Sequence, residues 1–194
     1  LPDFKKFWAN GFYEVPCPDK KKIMFENFRN DPENFPLKTP SGKIEISSDT
    51  IESFQLKDCL SHPSWFEPYE WLGKINKYTL HLISNQPTHR LHGQLDNAAD
   101  SRKSKIKDRE PVLINTSDAN KRSIKDDDIV MLYNDRGKVL AGAILSEDVM
   151  PGVVVLSTGA WFDPNYNLNT EVHGNPNVLT NDVGTSSLGQ GPTS

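Results

Sequence analysis

Ile129-Val130-Met131-Leu132-Tyr133-Asn134-Asp135-Arg136-Gly137-Lys138-Val139-Leu140-Ala141-Gly142-Ala143-Ile144-Leu145 reads as two strands and a turn. Two aliphatic, partly β-branched runs flank Asn134–Gly137, whose residue types supply turn geometry at low cost. The spacing predicts an antiparallel hairpin. Upstream, Pro111-Val112-Leu113-Ile114-Asn115 has the same character, and Thr116 or Ser117 is placed to cap a short helix over residues 118–122. Asp126-Asp127-Asp128 turns the chain into the hairpin, and Pro151-Gly152 leads into Val153-Val154-Val155-Leu156-Ser157. Tyr78-Thr79-Leu80-His81-Leu82-Ile83 is a further apolar run with the pattern of a buried strand. Short strands at this spacing, with one or two small helices, suggest a closed barrel. Periodicity alone says only that the domain is mainly β and barrel-like.

Toward the N-terminus the signals thin. Residues 1–38 are aromatic, proline-rich and lysine-studded, with a short helix expected from Asp3 to Asn10 behind the start signals Pro2 and Asp3. They read as a connector, because Phe4, Phe7, Trp8, Phe12 and Tyr13 call for another surface to cover them. Residues 39–194 read as the barrel domain. Pro40-Ser41-Gly42 is a turn into Lys43-Ile44-Glu45-Ile46-Ser47, whose alternation predicts a half-buried strand. A helix capped by Ser48 or Asp49 is expected over residues 49–54, and residues 56–77 are irregular.

Two segments have a different chemistry. Ser84-Asn85-Gln86-Pro87-Thr88-His89-Arg90-Leu91-His92-Gly93-Gln94-Leu95 follows a strand directly, where barrels and α/β folds place ligand contacts. The second runs from His173-Gly174-Asn175-Pro176-Asn177 through Val178-Leu179-Thr180-Asn181-Asp182-Val183-Gly184-Thr185-Ser186-Ser187-Leu188-Gly189-Gln190-Gly191. Both are dense in amides and hydroxyls, which donate and accept with directional geometry, so they read as loops that recognise a flat polar ligand. The alternative for the second is a disordered polar tail. The candidate ligand contacts are Ser84, Asn85, Gln86, Arg90, His92, Gln94, Asn175, Asn177, Asp182, Gly184, Thr185, Ser186 and Gln190. His81, inside the apolar run, reads as structural. The basic run Arg102-Lys103-Ser104-Lys105-Ile106-Lys107-Asp108-Arg109 reads as a solvated loop.

These segments, with Leu37-Lys38-Thr39-Pro40-Ser41-Gly42-Lys43-Ile44-Glu45, His62-Pro63-Ser64-Trp65-Phe66-Glu67-Pro68 and Gly159-Ala160-Trp161-Phe162-Asp163-Pro164, carry a resemblance across nearly the whole chain. The sequence resembles the C-terminal cofactor-binding domain of molybdopterin oxidoreductases in the dimethyl sulfoxide reductase family, nearest to biotin sulfoxide and trimethylamine N-oxide reductases. The resemblance implies a six-stranded double-psi β-barrel of the aspartate-decarboxylase-like kind. It also implies a bis(molybdopterin guanine dinucleotide) molybdenum cofactor and a parent enzyme of bacterial origin, periplasmic or cytoplasmic, that reduces S- or N-oxides. Arg90-Leu91-His92 with Gln94 matches the family's Arg-Leu-His-Ser-Gln segment, which lies against the dinucleotide; Gly93 stands where the family commonly has Ser. The family's metal-ligating segment lies N-terminal to this domain. The chain, opening on Leu1, therefore reads as part of a longer protein whose N-terminal domains and electron donor are partners. On its own it is expected to bind no cofactor and turn over no substrate. The competing reading is a stand-alone double-psi barrel that binds or processes something else.

Composition narrows the classes. A chain of 194 residues with 36% hydrophobic and 25% charged residues has ample material for a core. The net charge of −4 argues against nucleic acid and leaves an anionic pyrophosphate dependent on local donors such as Arg90 and loop N–H groups. No apolar run reaches the ~18 residues of a membrane span. Cys17 and Cys59 form no CxxC pair, and His62, His81, His89, His92 and His173 show no metal-ligand spacing. Ser84, His92 and Asp96 fail as a hydrolase triad because Ser84 lacks the GxSxG elbow. No catalytic or metal-ligating residue is therefore assigned.

Overall fold

The computed structural model describes residues 1–17, 19, 21–71, 73–74 and 77–192, with side chains through residue 189 in the last strand. The chain falls into two compact units, Leu1–Gln55 with Ser61–Pro63, and Leu56–Leu60 with Ser64–Ser194.

The first unit holds three short helices: α1 (Phe4–Asn10), α2 (Glu26–Asn30) and α3 (Asp49–Ser53). Asp3 caps α1 by accepting from the Lys6 amide, and Ser48 caps α3 by accepting from the Ile51 amide, as their side chains predict. None of the three helices buries a residue. The strand expected over residues 43–47 does not form. Leu37 N–H donates to Gly42 O, Thr39 Oγ1 to Lys43 O and Ser41 N–H to Glu45, so the segment folds back on itself. Ile44 and Ile46 are exposed. Alternation makes a strand only where an edge is offered for pairing, and this unit holds none among the described residues.

The second unit contains β1 (His81–Ile83), α4 (Ala99–Ser104), β2 (Pro111–Ile114), α5 (Thr116–Asn120), β3 (Ile129–Tyr133), β4 (Lys138–Leu145), β5 (Val153–Leu156), β6 (Pro164–Asn165) and β7 (Thr170–Glu171). A 3-10 turn at Pro176–Val178 and a small hairpin, β8 (Gly184–Ser186) with β9 (Gly189–Pro192), complete it. The seven strands β1–β7 form a mixed sheet curled into a half-barrel, in the order β1-β5-β2-β4-β7-β6 with β3 beside β4. The β3–β4 hairpin forms as expected, Tyr133 opposite Lys138. Gly142 pairs with both Ile129 and Pro111, and Val139 with both Leu132 and Glu171. A strand has two edges, so β3 takes one edge of β4 while β7 and β2 divide the other.

That crowding explains the composition of β4. Val139, Ala141 and Ala143 are fully buried, and a Cβ on Gly142 would overlap the Ile106 side chain. Val112, Ile114, Val154 and Leu156 fill the core with Ala119 and Leu179, each large aliphatic side chain contributing about 1.5–3 kcal/mol by burial. Two local expectations shift. Asn115, not Thr116 or Ser117, caps α5, its Oδ1 accepting from Ser117 N–H at 2.9 Å. The basic run is not a solvated loop throughout: α4 occupies its start, and Lys105 is buried between carboxylates.

Candidate functional site

β1 and β5 run parallel, so their C-terminal ends emerge side by side. The first polar segment leaves β1 there and is stitched to the residues that leave β5. Thr158 N–H donates to Asn85 O at 2.9 Å, Ser157 Oγ to Asn85 Oδ1 at 2.9 Å, and Thr158 Oγ1 to Gln86 Oε1 at 3.0 Å. Asn85 and Gln86 stay exposed, and Ser84 is half-buried.

Further along, Arg90 turns inward. Its guanidinium is enclosed, Nη2 donating to Thr158 O at 2.8 Å and pairing with Glu110 at 2.9 Å, Nη1 lying 3.3 Å from Ser101 Oγ and 3.0 Å from His89 Nε2. Its Nε, 3.7 Å from Asp96, has no hydrogen-bond partner. Because Arg90 Nη1 can only donate, His89 Nε2 is an acceptor there. Arg90 thus braces the segment from within, whereas His92 and Gln94 face solvent on either side of half-buried Gly93.

Below the segment lies a buried set of charges. Lys105 Nζ sits 2.8 Å from Asp96 Oδ1 and 3.1 Å from Glu110 Oε2, so two cations, Arg90 and Lys105, balance two carboxylates. Burial alone pushes the Asp96 carboxyl up, but the Lys105 ammonium, the Trp161 N–H and His173 more than offset it and hold it at about 2. The Trp161 amide donates to Asp96 Oδ2 at 2.9 Å while its indole N–H donates to Gly93 O at 2.7 Å, clamping the loop tip.

The same carboxylate reaches the tail: His173 Nε2 is 2.9 Å from Asp96 Oδ2 across 77 residues of sequence. Asn175 Oδ1 accepts from Asn177 N–H at 3.0 Å and opens the 3-10 turn, with Asn175 half-buried and Asn177 exposed. Leu179 O then accepts from both Asn134 Nδ2 and Arg136 Nε at 2.7 Å, and Arg136 forms a bidentate pair with Glu70 that holds the Glu70 carboxyl below its ordinary range. A cavity of about 350 Å³ opens here, walled by Trp71, Tyr78 and Tyr133, and both Ser84 and Thr180 line it. The two polar segments therefore approach each other where Ser84 and Thr180 line one cavity and where His173 meets Asp96, the residue that follows the first segment. Asp182, Gly184 and Thr185 are exposed and Ser186 half-buried in the region of the β8–β9 hairpin, whose turn has its own anchor: Ser187 N–H and Oγ donate to Asp58. The Gln190 side chain lies outside the described residues.

A molybdopterin dinucleotide presents hydrogen-bonding ring edges, and the exposed donors and acceptors suit it. His92, Gln94, Asn177 and Asp182 make no side-chain hydrogen bond among the described residues, which leaves imidazole, amide and carboxylate groups available. Among the described residues no group of three or more His, Cys, Asp or Glu is placed to hold a metal ion, and no helix is long and apolar enough to cross a membrane.

Sequence reasoning missed Asp96, Lys105, Glu110 and Glu171, all buried. A charged residue's burial leaves no mark of its own in the sequence; it follows from the partners that the fold gathers around it, near in the chain for Lys105 and Glu171 and also far for Asp96.

Residues 80–194 match the molydopterin dinucleotide binding domain family. The chain is 46% identical over 192 residues to a biotin sulfoxide reductase of Cereibacter sphaeroides, covering 98% of this chain and 26% of that protein. It is 46% identical over 199 residues to a trimethylamine-N-oxide reductase of Haemophilus influenzae, covering 98% and 24%. A dimethyl sulfoxide/trimethylamine N-oxide reductase of Cereibacter sphaeroides is 42% identical with 98% and 24% coverage. The chain thus spans about a quarter of the length of these relatives. Among solved structures, acetylene hydratase from Pelobacter acetylenicus superposes with a TM-score of 0.63 over 79% of this chain and 22% of that one; at 15% identity this likeness concerns the fold alone. The chain belongs to the molydopterin dinucleotide binding domain family and is related to the biotin sulfoxide, trimethylamine N-oxide and dimethyl sulfoxide reductases.

Proposed function

We propose that this chain is the dinucleotide-holding domain of a molybdenum S- or N-oxide reductase, a six-stranded double-psi barrel that carries bis(molybdopterin guanine dinucleotide) jointly with the N-terminal domains of its parent. The observation that carries this reading is the approach of two amide-rich segments, at the cavity that Ser84 and Thr180 line and at the contact of His173 with Asp96, with His92, Gln94, Asn177 and Asp182 exposed and uncommitted. In this reading Asn85, Gln86, His92, Gln94, Asn175 and Asn177 meet the ring edges and ribose, and Asp182, Thr185, Ser186 and Gln190 extend the surface. Arg90 acts from behind the loop, since its guanidinium is buried and its Nη2 is committed to Glu110 and Thr158. The pyrophosphate then relies on backbone N–H groups and on cations of the parent's other domains. When bound, the molybdenum group supplies the two-electron oxygen-atom transfer; these residues place it and exclude water. Residues 1–38 pack against the rest of the parent, and an electron-donor protein docks elsewhere on it.

The test is substitution in the whole protein. Asn177→Ala and His92→Ala should each lower the guanine nucleotide released per chain on acid hydrolysis, and bound molybdenum with it, while Asp100→Ala on the exposed face of α4 should not. Unchanged nucleotide content in both site variants would favour a barrel that serves another ligand. The isolated chain should reduce neither trimethylamine N-oxide nor biotin sulfoxide with a chemical electron donor; turnover by metal-analysed pure chain would defeat that expectation.

A further inference from the structure

Glu171 lies in β7, is 3% exposed, and aims its carboxylate back into the turn that follows. Oε1 accepts from Asp163 N–H at 3.2 Å and His173 N–H at 2.9 Å; Oε2 accepts from Gly174 N–H and Asn175 N–H, each at 2.8 Å. Four main-chain donors converge on one acid. Three belong to the turn that begins the tail segment, and the fourth belongs to the 159–163 loop whose Trp161 clamps Gly93.

Two further holds act on the same turn. Glu110 N–H donates to His173 O at 2.9 Å, and Asp96 takes the His173 ring. Gly174 adopts φ +103 with the place of its absent Cβ occupied by Glu110, so the backbone is pressed directly onto the start of β2. Asn175, fixed through its own N–H, caps the next turn and so sets where Asn177 stands.

We propose that Glu171 is the positioning residue of the cofactor surface, its carboxylate holding residues 173–175, with Asp96 as second anchor, so that Asn175 and Asn177 meet the dinucleotide in one arrangement. This rests on the reading that the tail segment contacts that cofactor. A carboxylate suits the task because it only accepts, on about four lone-pair sites, whereas the isosteric amide turns two donors toward donors. Glu171 touches no ligand in this account; it acts through the backbone it holds.

The experiment uses Glu171→Gln in the whole protein, with two readouts: hydrogen exchange by mass spectrometry on peptides covering residues 172–178 and β4, and guanine nucleotide content per chain. Expected is exchange at least about tenfold faster in 172–178, unchanged exchange in β4, and a lowered nucleotide content. Unchanged exchange in 172–178 overturns the positioning role whatever the nucleotide content. Faster exchange there with full nucleotide content shows that the turn is held by Glu171 but that the tail does not hold the dinucleotide, which overturns the reading on which the proposal rests. Faster exchange throughout, β4 included, marks Glu171 as a general stability residue and also overturns it. Should Glu171→Gln fail to fold, His173→Ala, at a side chain 24% exposed, cuts only the Asp96 arm. It must loosen 172–178 and lower nucleotide content in the same direction, and no change in either defeats the proposal.

Discussion

Replacing Lys105 by Met tests the buried charge network most sharply, because Met keeps the length and apolar stem and removes only the ammonium. The Lys105 side chain is 4% exposed, and its two partners, Asp96 at 2.8 Å and Glu110 at 3.1 Å, are 2% and 1% exposed. Removal turns a balanced set of two cations and two carboxylates into one with an unmatched negative charge away from water. Breaking a buried pair from one side costs about 3–5 kcal/mol, a large share of the 5–15 kcal/mol that typically separates folded from unfolded protein. The lower end is expected here. Arg90 Nε, lacking a hydrogen-bond partner and already 3.7 Å from Asp96, is placed to close on the freed oxygen.

The sign of the pH dependence gives a second, independent check. In the native network Asp96 sits at about 2 against an ordinary 3.8, so it adds stability at neutral pH. Without the ammonium its carboxyl moves upward, because its strongest hold is gone while burial still pushes it up. Protonation on acidification relieves the unmatched charge, and the stability deficit of Lys105→Met must shrink from pH 7.5 to pH 5. Urea unfolding at the two pH values measures it, with Lys103→Met as control. Lys103 is 76% exposed in its pair with Asp100, so that change should stay within about 0.5 kcal/mol. A loss below about 1 kcal/mol at pH 7.5, or a deficit that grows toward acid, would refute the network's role.

Other consequences are simpler. Because the folded-state pKa of Asp96 is depressed, its contribution is complete above the unfolded value and fades as pH falls from about 3.8 toward 2, by at most about 2 kcal/mol after screening; Asp96→Asn should flatten that part of the acid-unfolding curve, and an unaltered slope would show that other carboxylates set it. Gly142→Val forces a side chain into the space Ile106 occupies and should cost about 1–3 kcal/mol in urea unfolding; a neutral result would mean that the Ile106 side chain gives way freely. Leu156→Ala empties a fully buried core position and should cost about 2–5 kcal/mol, with a smaller loss showing that the sheet collapses into the cavity.

What was legible in the sequence and what was not divide along a physical line. The β3–β4 hairpin, β2, β5 and the helices behind Asp3 and Ser48 were legible because each is specified by residues close together: turn formers between aliphatic runs, or an oxygen beside orphan N–H groups. The failure at residues 43–47 has the opposite cause, since alternation describes a face and says nothing of whether an edge exists to pair with. The polar segments were legible as chemistry, and the groups that hold them together were not. The hold on them is made by Asp96, which takes the Trp161 amide and the His173 ring from far along the chain, by Glu110, which takes Arg90, and by Glu171, which gathers the N–H groups of the turn just after it. Arg90 illustrates the limit best. Its neighbours His92 and Gln94 made a ligand contact the natural reading, yet its enclosed guanidinium pairs with Glu110 and so ties the first segment to the start of β2, on which Gly174 and the tail also rest. A surface that must present amides in fixed positions, on loops with little apolar side chain to pack, is held by charge from below. That is why the residues expected to decide ligand geometry here include buried acids that carry no ligand-binding signature of their own.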